Sequence, residues 1–176
     1  MGKTKGIVSR GRIVLGVTVL LLIGVLAASC GKTSAVSGGP SGRVRPILLT
    51  AAVQGDSMSV PLTKVQGALN TRFQAIFPAG TESFMVYVYN NQTYVRASVC
   101  VPCSGQSFSL QGNTLVCDTC GTVFNAATGK GMSGVPACQT YNKAPVPFQV
   151  DASGNVVMKS ADLLASYQKT LNRTAY

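Results

Sequence analysis

Histidine is absent from this chain of 176 residues. Without it there are no imidazole metal ligands, no Ser-His or Cys-His catalytic pairs and no C-x-x-C-H haem attachment site. Acidic residues are scarce too: only five Asp and Glu are present and no two are adjacent, which gives little support to a hydrolase with paired carboxylates. The composition therefore favours a carrier or binding protein over an enzyme.

Charge is missing from residues 13–29, an apolar run that follows four basic residues. A basic start, an apolar run of this length and small residues at its end are typical of a secretory signal. The run ends in a segment that resembles a bacterial lipobox, in which Cys30 would be lipidated, although Ala27 stands where leucine is usual. A retained membrane helix is the alternative, since seventeen apolar residues are at the short limit for crossing a bilayer. Both interpretations place the protein in the cell envelope, on the outer side of the cytoplasmic membrane or in the periplasm.

The predicted organisation has three parts: a signal or membrane segment at 1–29, a lipidated tether at 30–43 and one domain at 44–176. Removal of the signal leaves eleven basic and five acidic residues, a net charge of +6, and the basic residues are scattered. A nucleic-acid-binding protein would carry a basic patch or stripe, so we expect no nucleic-acid partner. The remaining positive charge favours contact with anionic headgroups.

The domain at 44–176 alternates in a way that predicts mainly β structure. Strands are expected at 46–54 and 57–61, a helix at 62–77, and a second helix that begins near Ala161 and is capped by Ser160. Turn residues indicate three hairpins, which pair 84–89 with 93–99, 106–110 with 114–117, and 146–150 with 155–159. The expected fold is a small Rieske-like or zinc-ribbon-like β domain with two short helices.

Four cysteines in the domain form two C-x-x-C pairs separated by thirteen residues: Cys100 with Cys103, and Cys117 with Cys120. Each pair forms what we call a knuckle, a tight turn that directs both sulfurs to one point. A glycine soon after the second cysteine, as at Gly105 and Gly121, suits the positive φ that the turn requires. Two pairs with this spacing are a strong signal for a metal site. Four thiolates suit iron, an iron–sulfur cluster or zinc.

Disulfides are the main alternative, because regularly spaced cysteines in an oxidising compartment are often bridged. Cys138 is the fifth cysteine of the domain, and it is interpreted as a buried small apolar side chain, an extra ligand or a resolving thiol.

The segment that begins at Cys117 resembles the second ligand loop of Rieske ferredoxins, which run C-x-x-H-G, an aromatic residue, T-G and then G-P-A. The matching residues are Cys117, Gly121, Phe124, Thr128, Gly129 and the stretch 134–137. Cys120 stands where Rieske proteins have histidine, and the first loop is C-x-x-C in place of C-x-H. The resemblance implies a Rieske-like scaffold without a Rieske cluster or its high potential.

Residues 53–164 resemble the membrane iron–sulfur FtrD-like domain family. The family shows A-C-x-x-C, C-x-x-C-G-x-x-F, a Gly-rich stretch with one further cysteine, P-x-P and a D-L helix, which this sequence carries at 99–103, 117–124, 134–138, 145–147 and 162–164. Val99 replaces the family's alanine, and the sequence carries no multi-span membrane region. The resemblance implies redox chemistry or iron handling, with transport itself in doubt.

The predicted function is therefore electron transfer or redox-linked iron handling by a membrane-anchored protein, with an unidentified redox partner. A structural-zinc domain for protein–protein contact and a thiol–disulfide protein are the alternatives. Residues 9–15 carry a glycine between the two arginines of a twin-arginine pattern. An ordinary secretory route would favour metal acquired after export, or disulfides.

Overall fold

The structure is a computed structural model in which residues 38–174 are described. The predicted signal, its lipidation site Cys30 and most of the tether lie outside the described residues. Within 38–174, no helix has the length and apolar character needed to span a membrane.

The described residues form thirteen short strands, three α-helices and a 3-10 turn. The strands are β1 Arg43–Val44, β2 Ile47–Leu48, β3 Ala52–Gln54, β4 Ser57–Pro61, β5 Asn70–Phe77, β6 Gly80–Tyr89, β7 Gln92–Ala97, β8 Phe108–Gln111, β9 Thr114–Cys117, β10 Val123–Asn125, β11 Gly131–Ser133, β12 Gln149–Val150 and β13 Asn155–Lys159. The helices are α1 Leu62–Ala68, α2 Pro136–Gln139 and α3 Ser160–Leu171, and the 3-10 turn is Val101–Cys103. The expected mainly β domain is confirmed, with three helices in place of two.

Three sheets organise these strands, in the orders β1-β8-β9-β10-β11, β12-β13-β4-β3 and β2-β5-β6-β7. All pairings are antiparallel except that of β2 with β5. The first sheet carries the second cysteine pair, and the first pair follows β7 at the end of the third sheet. Short connections therefore bring the ends of two sheets together at the cysteines.

The three predicted hairpins are confirmed as β6-β7, β8-β9 and β12-β13. In the first, Asn90 and Asn91 have φ of 49° and 58°, the pair of left-handed residues that a tight hairpin turn of matching twist requires. Gly112 has φ of 56° in the second. These turns fix the register, and so the face on which each strand residue lies.

The helix predicted over 62–77 is wrong in its second half. It ends at Ala68, Leu69 adopts a left-handed conformation with φ of 61°, and the chain continues as β5. Apolar residues along 62–77 fit helical spacing, but within β5 they also alternate between buried and exposed positions. Pairing with β6 along all eight residues decides in favour of the strand, because a cross-strand partner outweighs a weak helical period.

Two smaller differences concern the other helices. Ser160 is the first residue of α3 and its side chain makes no capping hydrogen bond; Lys159 occupies the N-cap position. Asp162 lies in the first turn of α3, where the helix dipole favours a carboxylate. The four-residue α2 was not predicted, and its signal is Pro136 at the first helical position.

Strand β6 separates two hydrophobic cores. Its side chains alternate, so that Phe84 and Val86 belong to the larger core under β4, β13 and α3, whereas Met85 and Tyr87 belong to a second core. Tyr94 stacks on Tyr87 with ring centroids 5.3 Å apart, as expected of cross-strand aromatic packing. The second core also contains Cys100, Cys117 and Cys138, so the cysteine region rests on a packed apolar layer.

Candidate metal centre

The two cysteine pairs meet because the β8-β9 hairpin folds the chain back on itself. Cys100 follows β7, and the 3-10 turn places Cys103 one turn later. Cys117 is the last residue of β9 and lies opposite Phe108 in the hairpin register. Cys120 lies in the turn that leads into β10. Thirteen residues of intervening hairpin thus bring both knuckles to one point.

The four sulfur atoms all lie within 4.8 Å of one another. The Sγ atoms of Cys100 and Cys120 are 3.9 Å apart, and those of Cys103 and Cys117 are 3.8 Å apart. Cys100 and Cys117 are buried, whereas Cys103 and Cys120 are partly exposed. The four residues that the sequence selects are therefore brought together, with one residue of each pair reaching the surface.

Cys138 lies close by but outside this set of four. Its side chain is buried in the second core, and none of the five cysteines between residues 100 and 138 forms a disulfide. Of the predicted roles, its burial agrees with that of a small apolar side chain.

Backbone hydrogen bonds close each knuckle, and each knuckle is followed by a residue in the left-handed conformation. In the second knuckle the residue is Gly121, with φ of 71°, and its N–H donates to the Cys117 carbonyl at 2.9 Å. In the first knuckle it is Ser104, with φ of 57°, so the expectation that Gly105 supplies the positive φ is wrong. The Cys100 N–H donates to the Gly105 carbonyl at 2.7 Å and closes the turn.

Gly105 is required for a different reason: the site has no space for a side chain at this position. A Cβ at this residue would lie 2.8 Å from the Cys117 sulfur and 2.9 Å from the Thr119 hydroxyl oxygen. Real Cβ atoms essentially never approach other atoms this closely, so the first knuckle can approach the second only because residue 105 has no side chain.

Hydrogen bonds to sulfur favour the thiolate form on the second knuckle. The Cys100 thiol and the backbone N–H groups of Thr119 and Cys120 donate to Cys117 and lower its pKa to about 5, against the opposing effect of burial. Burial also opposes the shift at Cys120, but the hydroxyl and N–H of Thr122 lower the pKa of this thiol. The Thr122 hydroxyl lies 3.1 Å from the Cys120 sulfur.

In the first knuckle the surroundings favour the protonated thiols and raise their pKa values. The hydrogen bond to Cys117 and burial both raise the pKa of Cys100. Burial raises the pKa of Cys103 to about 11, although a backbone hydrogen bond from Gly105 acts against this shift. Thiol protons are thus held on the first knuckle, and a cation entering the site would displace them as it binds.

A lysine that sequence reasoning missed lies beside the sulfurs. Lys143 is fully buried, and its ammonium is 4.2 Å from the ring centroid of Phe124 and 5.1 Å from that of Phe108. Burial lowers its pKa to about 8, while electrostatic interaction with Cys100 and Cys117 acts to raise it. No local motif surrounds this lysine, so its position beside the site appears only in the fold.

Asp118 is a second residue that the sequence did not identify. Its carboxylate accepts hydrogen bonds from Arg43 at 2.7 Å and from the hydroxyls of Ser107 and Ser109 at 2.6 Å each. Burial opposes the shift, but these donors hold the pKa of Asp118 below its usual range. Asp118 lies between Cys117 and Cys120 in the sequence, so its carboxylate links the second knuckle to β1 and β8.

Phe124 packs beside the site. Its ring contacts that of Phe108 edge-to-face at 5.8 Å, and both rings are buried in the second core. Together with the ammonium of Lys143 they form an apolar layer with one positive charge under the sulfurs. This layer excludes water from the inner side of the site.

The donor set fits a thiolate metal centre. Metal–sulfur bonds of about 2.3 Å in a tetrahedron place the sulfurs about 3.8 Å apart, and two of the sulfur–sulfur distances between the knuckles are 3.8 and 3.9 Å. Four convergent sulfurs, of which two already have lowered pKa values, match the requirements of iron or zinc. The fold and site thus define a small β domain with a four-cysteine centre carried on two hairpin-linked knuckles.

The sequence model of the family described as membrane iron-sulfur containing protein FtrD-like matches residues 70–169. This match spans more than half of the chain and includes all four knuckle cysteines. The chain therefore belongs to the FtrD-like family of membrane iron–sulfur containing proteins.

Two solved structures are similar to part of this chain. One is a complex of reduced oxygenase and oxidized ferredoxin in carbazole 1,9a-dioxygenase, with 21% identity and a TM-score of 0.48 over 61% of this chain and 95% of that chain. The other is a ferredoxin of Sphingomonas yanoikuyae B1, with 19% identity and a TM-score of 0.39 over 49% of this chain and 83% of that chain. No curated protein matches the sequence.

Proposed function

We propose that Cys100, Cys103, Cys117 and Cys120 bind an iron-containing centre, and that the protein transfers single electrons between two partner proteins at the outer face of a membrane. The observation that carries this proposal is the convergence of four sulfurs within 4.8 Å in a chain that belongs to an iron–sulfur family. Iron held by thiolates supplies a one-electron redox couple. The protein would accept one electron from a reduced donor protein and give it to an oxidised acceptor protein.

The spacing of the sulfurs favours a single iron over a cluster. A tetrahedral ion needs sulfurs about 3.8 Å apart, which the contacts of 3.8 and 3.9 Å between the knuckles already provide. A two-iron cluster would need the sulfurs bound to different irons to separate further. The single ion therefore requires the smaller rearrangement of the knuckles.

The two partly exposed cysteines indicate where electrons would enter and leave. Cys103 and Cys120 are partly exposed, whereas the inner side of the site is closed by the rings of Phe108 and Phe124. A partner protein that contacts the tips of the knuckles would approach the iron through these two ligands.

The test is metal analysis and visible absorption of the full-length protein purified from its native host. The proposal expects about one iron per chain, with thiolate-to-iron charge-transfer bands that bleach when dithionite is added. Two irons per chain would keep the electron-transfer function and overturn the single ion. A colourless protein with one zinc, unaffected by dithionite, would indicate a structural-zinc domain for protein contacts. A metal-free protein whose free thiols increase by four on reduction would indicate disulfides.

We also propose that the protein is anchored to the membrane by lipid on Cys30, on the basis of the apolar run at 13–29 and the small residues that follow it. The Cys30→Ala variant should lose labelling by a radioactive fatty acid and should remain unprocessed or become soluble. Unchanged labelling and processing would contradict the anchor without affecting the metal proposal.

A further inference from the structure

The ammonium of Lys143 is fixed in position inside the protein. It donates 2.7 Å hydrogen bonds to the carbonyl oxygens of Val99 and Tyr141, and none of the side chain is exposed. Val99 immediately precedes the first knuckle cysteine, so the ammonium is tied to the backbone that leads into the site. The charge can therefore act on the sulfurs from a defined place.

A buried arginine holds the backbone of this lysine. The guanidinium of Arg96 donates to the Lys143 carbonyl at 2.7 Å and to the Tyr87 hydroxyl at 2.9 Å, and Arg96 is 4% exposed. The N–H of Lys143 donates to the Gly129 carbonyl at 2.9 Å. Both main-chain polar groups of residue 143 are thus bonded, and the side chain has little freedom to leave the second core.

A cation in a buried position is costly unless negative charge lies nearby. Carbonyl oxygens and ring faces solvate the Lys143 ammonium, but they are neutral. The second core, whose Phe124 ring lies against the ammonium, also contains Cys100 and Cys117, and these sulfurs carry negative charge once they bind a metal as thiolates. The lysine ammonium and the thiolates therefore stabilise each other electrostatically in this core, and this stabilisation increases as more thiolates form.

We propose that Lys143 is a positioning residue whose charge offsets the negative charge of the four-thiolate centre, strengthening metal binding and raising the reduction potential. A fixed cation stabilises whichever state carries more negative charge. Deprotonated thiolates are favoured over thiols, which assists metal binding, and a reduced centre is favoured over an oxidised one. The statement about potential rests on the proposed electron-transfer function; the statement about metal affinity does not.

The test compares Lys143→Gln and Lys143→Met in the full chain. Glutamine removes the charge but keeps an N–H donor for the carbonyls, whereas methionine removes both at similar length. Lys169→Gln, on the exposed side of α3, is the matched control for loss of one positive charge. The probe is Cd²⁺, titrated into the reduced metal-free protein in competition with a chelator and followed by thiolate-to-cadmium absorption.

We expect both Lys143 variants to bind Cd²⁺ at least tenfold more weakly than the wild type and the Lys169→Gln control. In the iron-loaded protein their midpoint potentials should fall by an amount equivalent to a tenfold change in the reduction equilibrium, about 59 mV for one electron. If Lys143→Gln retains wild-type affinity and only Lys143→Met is weak, the lysine acts through its hydrogen bonds and the proposal is wrong. Unchanged affinity in both variants would overturn it too.

The two hypotheses fail in different ways. If the native protein carries zinc, the proposed electron-transfer function is wrong, but the Cd²⁺ titration still tests the role of Lys143. If the native protein carries iron and all variants bind Cd²⁺ with equal affinity, only the proposed role of Lys143 is wrong. Circular dichroism checks folding of each metal-free variant; if neither Lys143 variant folds, the residue is structural and the proposal fails.

Discussion

The backbone of Gly105 lies directly against the sulfur of Cys117, at a distance that leaves no room for a Cβ atom. Such a Cβ would lie 2.8 Å from the sulfur, and the hydrogen bond from the Cys100 N–H to the Gly105 carbonyl prevents the loop from moving away freely. The contact joins the two knuckles without any metal. It makes residue 105 a determinant of how closely the four sulfurs approach.

Gly105→Ala should therefore destabilise the protein by about 1–3 kcal/mol, the usual cost of overpacking, and should weaken metal binding. The measurements are the midpoint of urea unfolding and the metal content after purification. Gly67→Ala is the control, because an added Cβ there meets nothing within 4 Å and lies inside α1. This control should be neutral or stabilising by about 0.5–1 kcal/mol. Equal effects of the two substitutions would contradict the packing argument.

The sequence identified Gly105 for a reason that the structure does not support. Its position soon after a C-x-x-C pair predicts positive φ, but the left-handed residue in the first knuckle is Ser104. The true reason is a contact with Cys117, twelve residues further along the chain, and such a contact depends on the register of the β8-β9 hairpin. The local C-x-x-C pattern therefore indicates the glycine, but the reason for it is a contact that only the folded structure shows.

The four knuckle cysteines should act as a unit, because metal binding couples both loops to folding. Replacing any one of them by serine should remove most of the metal and lower the melting temperature markedly. Cys138→Ser is the matched control: it places a hydroxyl in a buried site at a cost of about 1–3 kcal/mol, yet it should retain the metal. Metal content per folded chain separates the two effects. Equal and mild losses at all five positions would show that the four cysteines do not form one site.

The carboxylate of Asp118 should stabilise the second knuckle without binding metal. Asp118→Asn replaces one acceptor oxygen by a donor that faces the Arg43 guanidinium or a serine hydroxyl, and should cost about 1–3 kcal/mol. Much of this effect should come from the two serines, since the Arg43 side chain is 43% exposed and its ion pair is screened by solvent. The measurement is chemical unfolding of the metal-free protein.

Asp56→Asn is the matched control for this substitution. The Asp56 carboxylate is exposed and accepts a 3.1 Å hydrogen bond from the neighbouring Ser57 hydroxyl. Its loss should change the free energy of unfolding by less than about 0.5 kcal/mol. If Asp118→Asn is equally mild, the carboxylate does not hold the knuckle to β1 and β8.

The parts of the fold that could be predicted from sequence are those governed by neighbouring residues. Asparagine and glycine turns gave the three hairpins, and the C-x-x-C spacing gave the four convergent sulfurs. The strand β5 was missed because its apolar residues fit two periods, and its pairing with β6 decides between them. Lys143 and Asp118 were missed because their roles depend on partners more than eight residues away in sequence.

Cys120 stands where a histidine is found in the Rieske ferredoxins that this segment resembles. Two groups of residues act on the potential in opposite directions. Four thiolates add negative charge and lower it, whereas Lys143 and the N–H groups of Thr119 and Cys120 raise it by favouring the more negative state. One buried cation offsets only part of four anionic ligands, so the thiolates should dominate.

Cys120→His should therefore raise the midpoint potential of the iron-loaded protein, on the order of 100 mV, because a neutral imidazole replaces one thiolate. Cys120 is partly exposed, which gives the larger ring space at the surface. Cys138→Ser should leave the potential nearly unchanged, since Cys138 lies outside the set of four. Dye-mediated redox titration of both variants measures the shift, with metal content determined on the same samples. A potential that stays constant or falls in an iron-retaining Cys120→His protein would show that Cys120 is not a ligand.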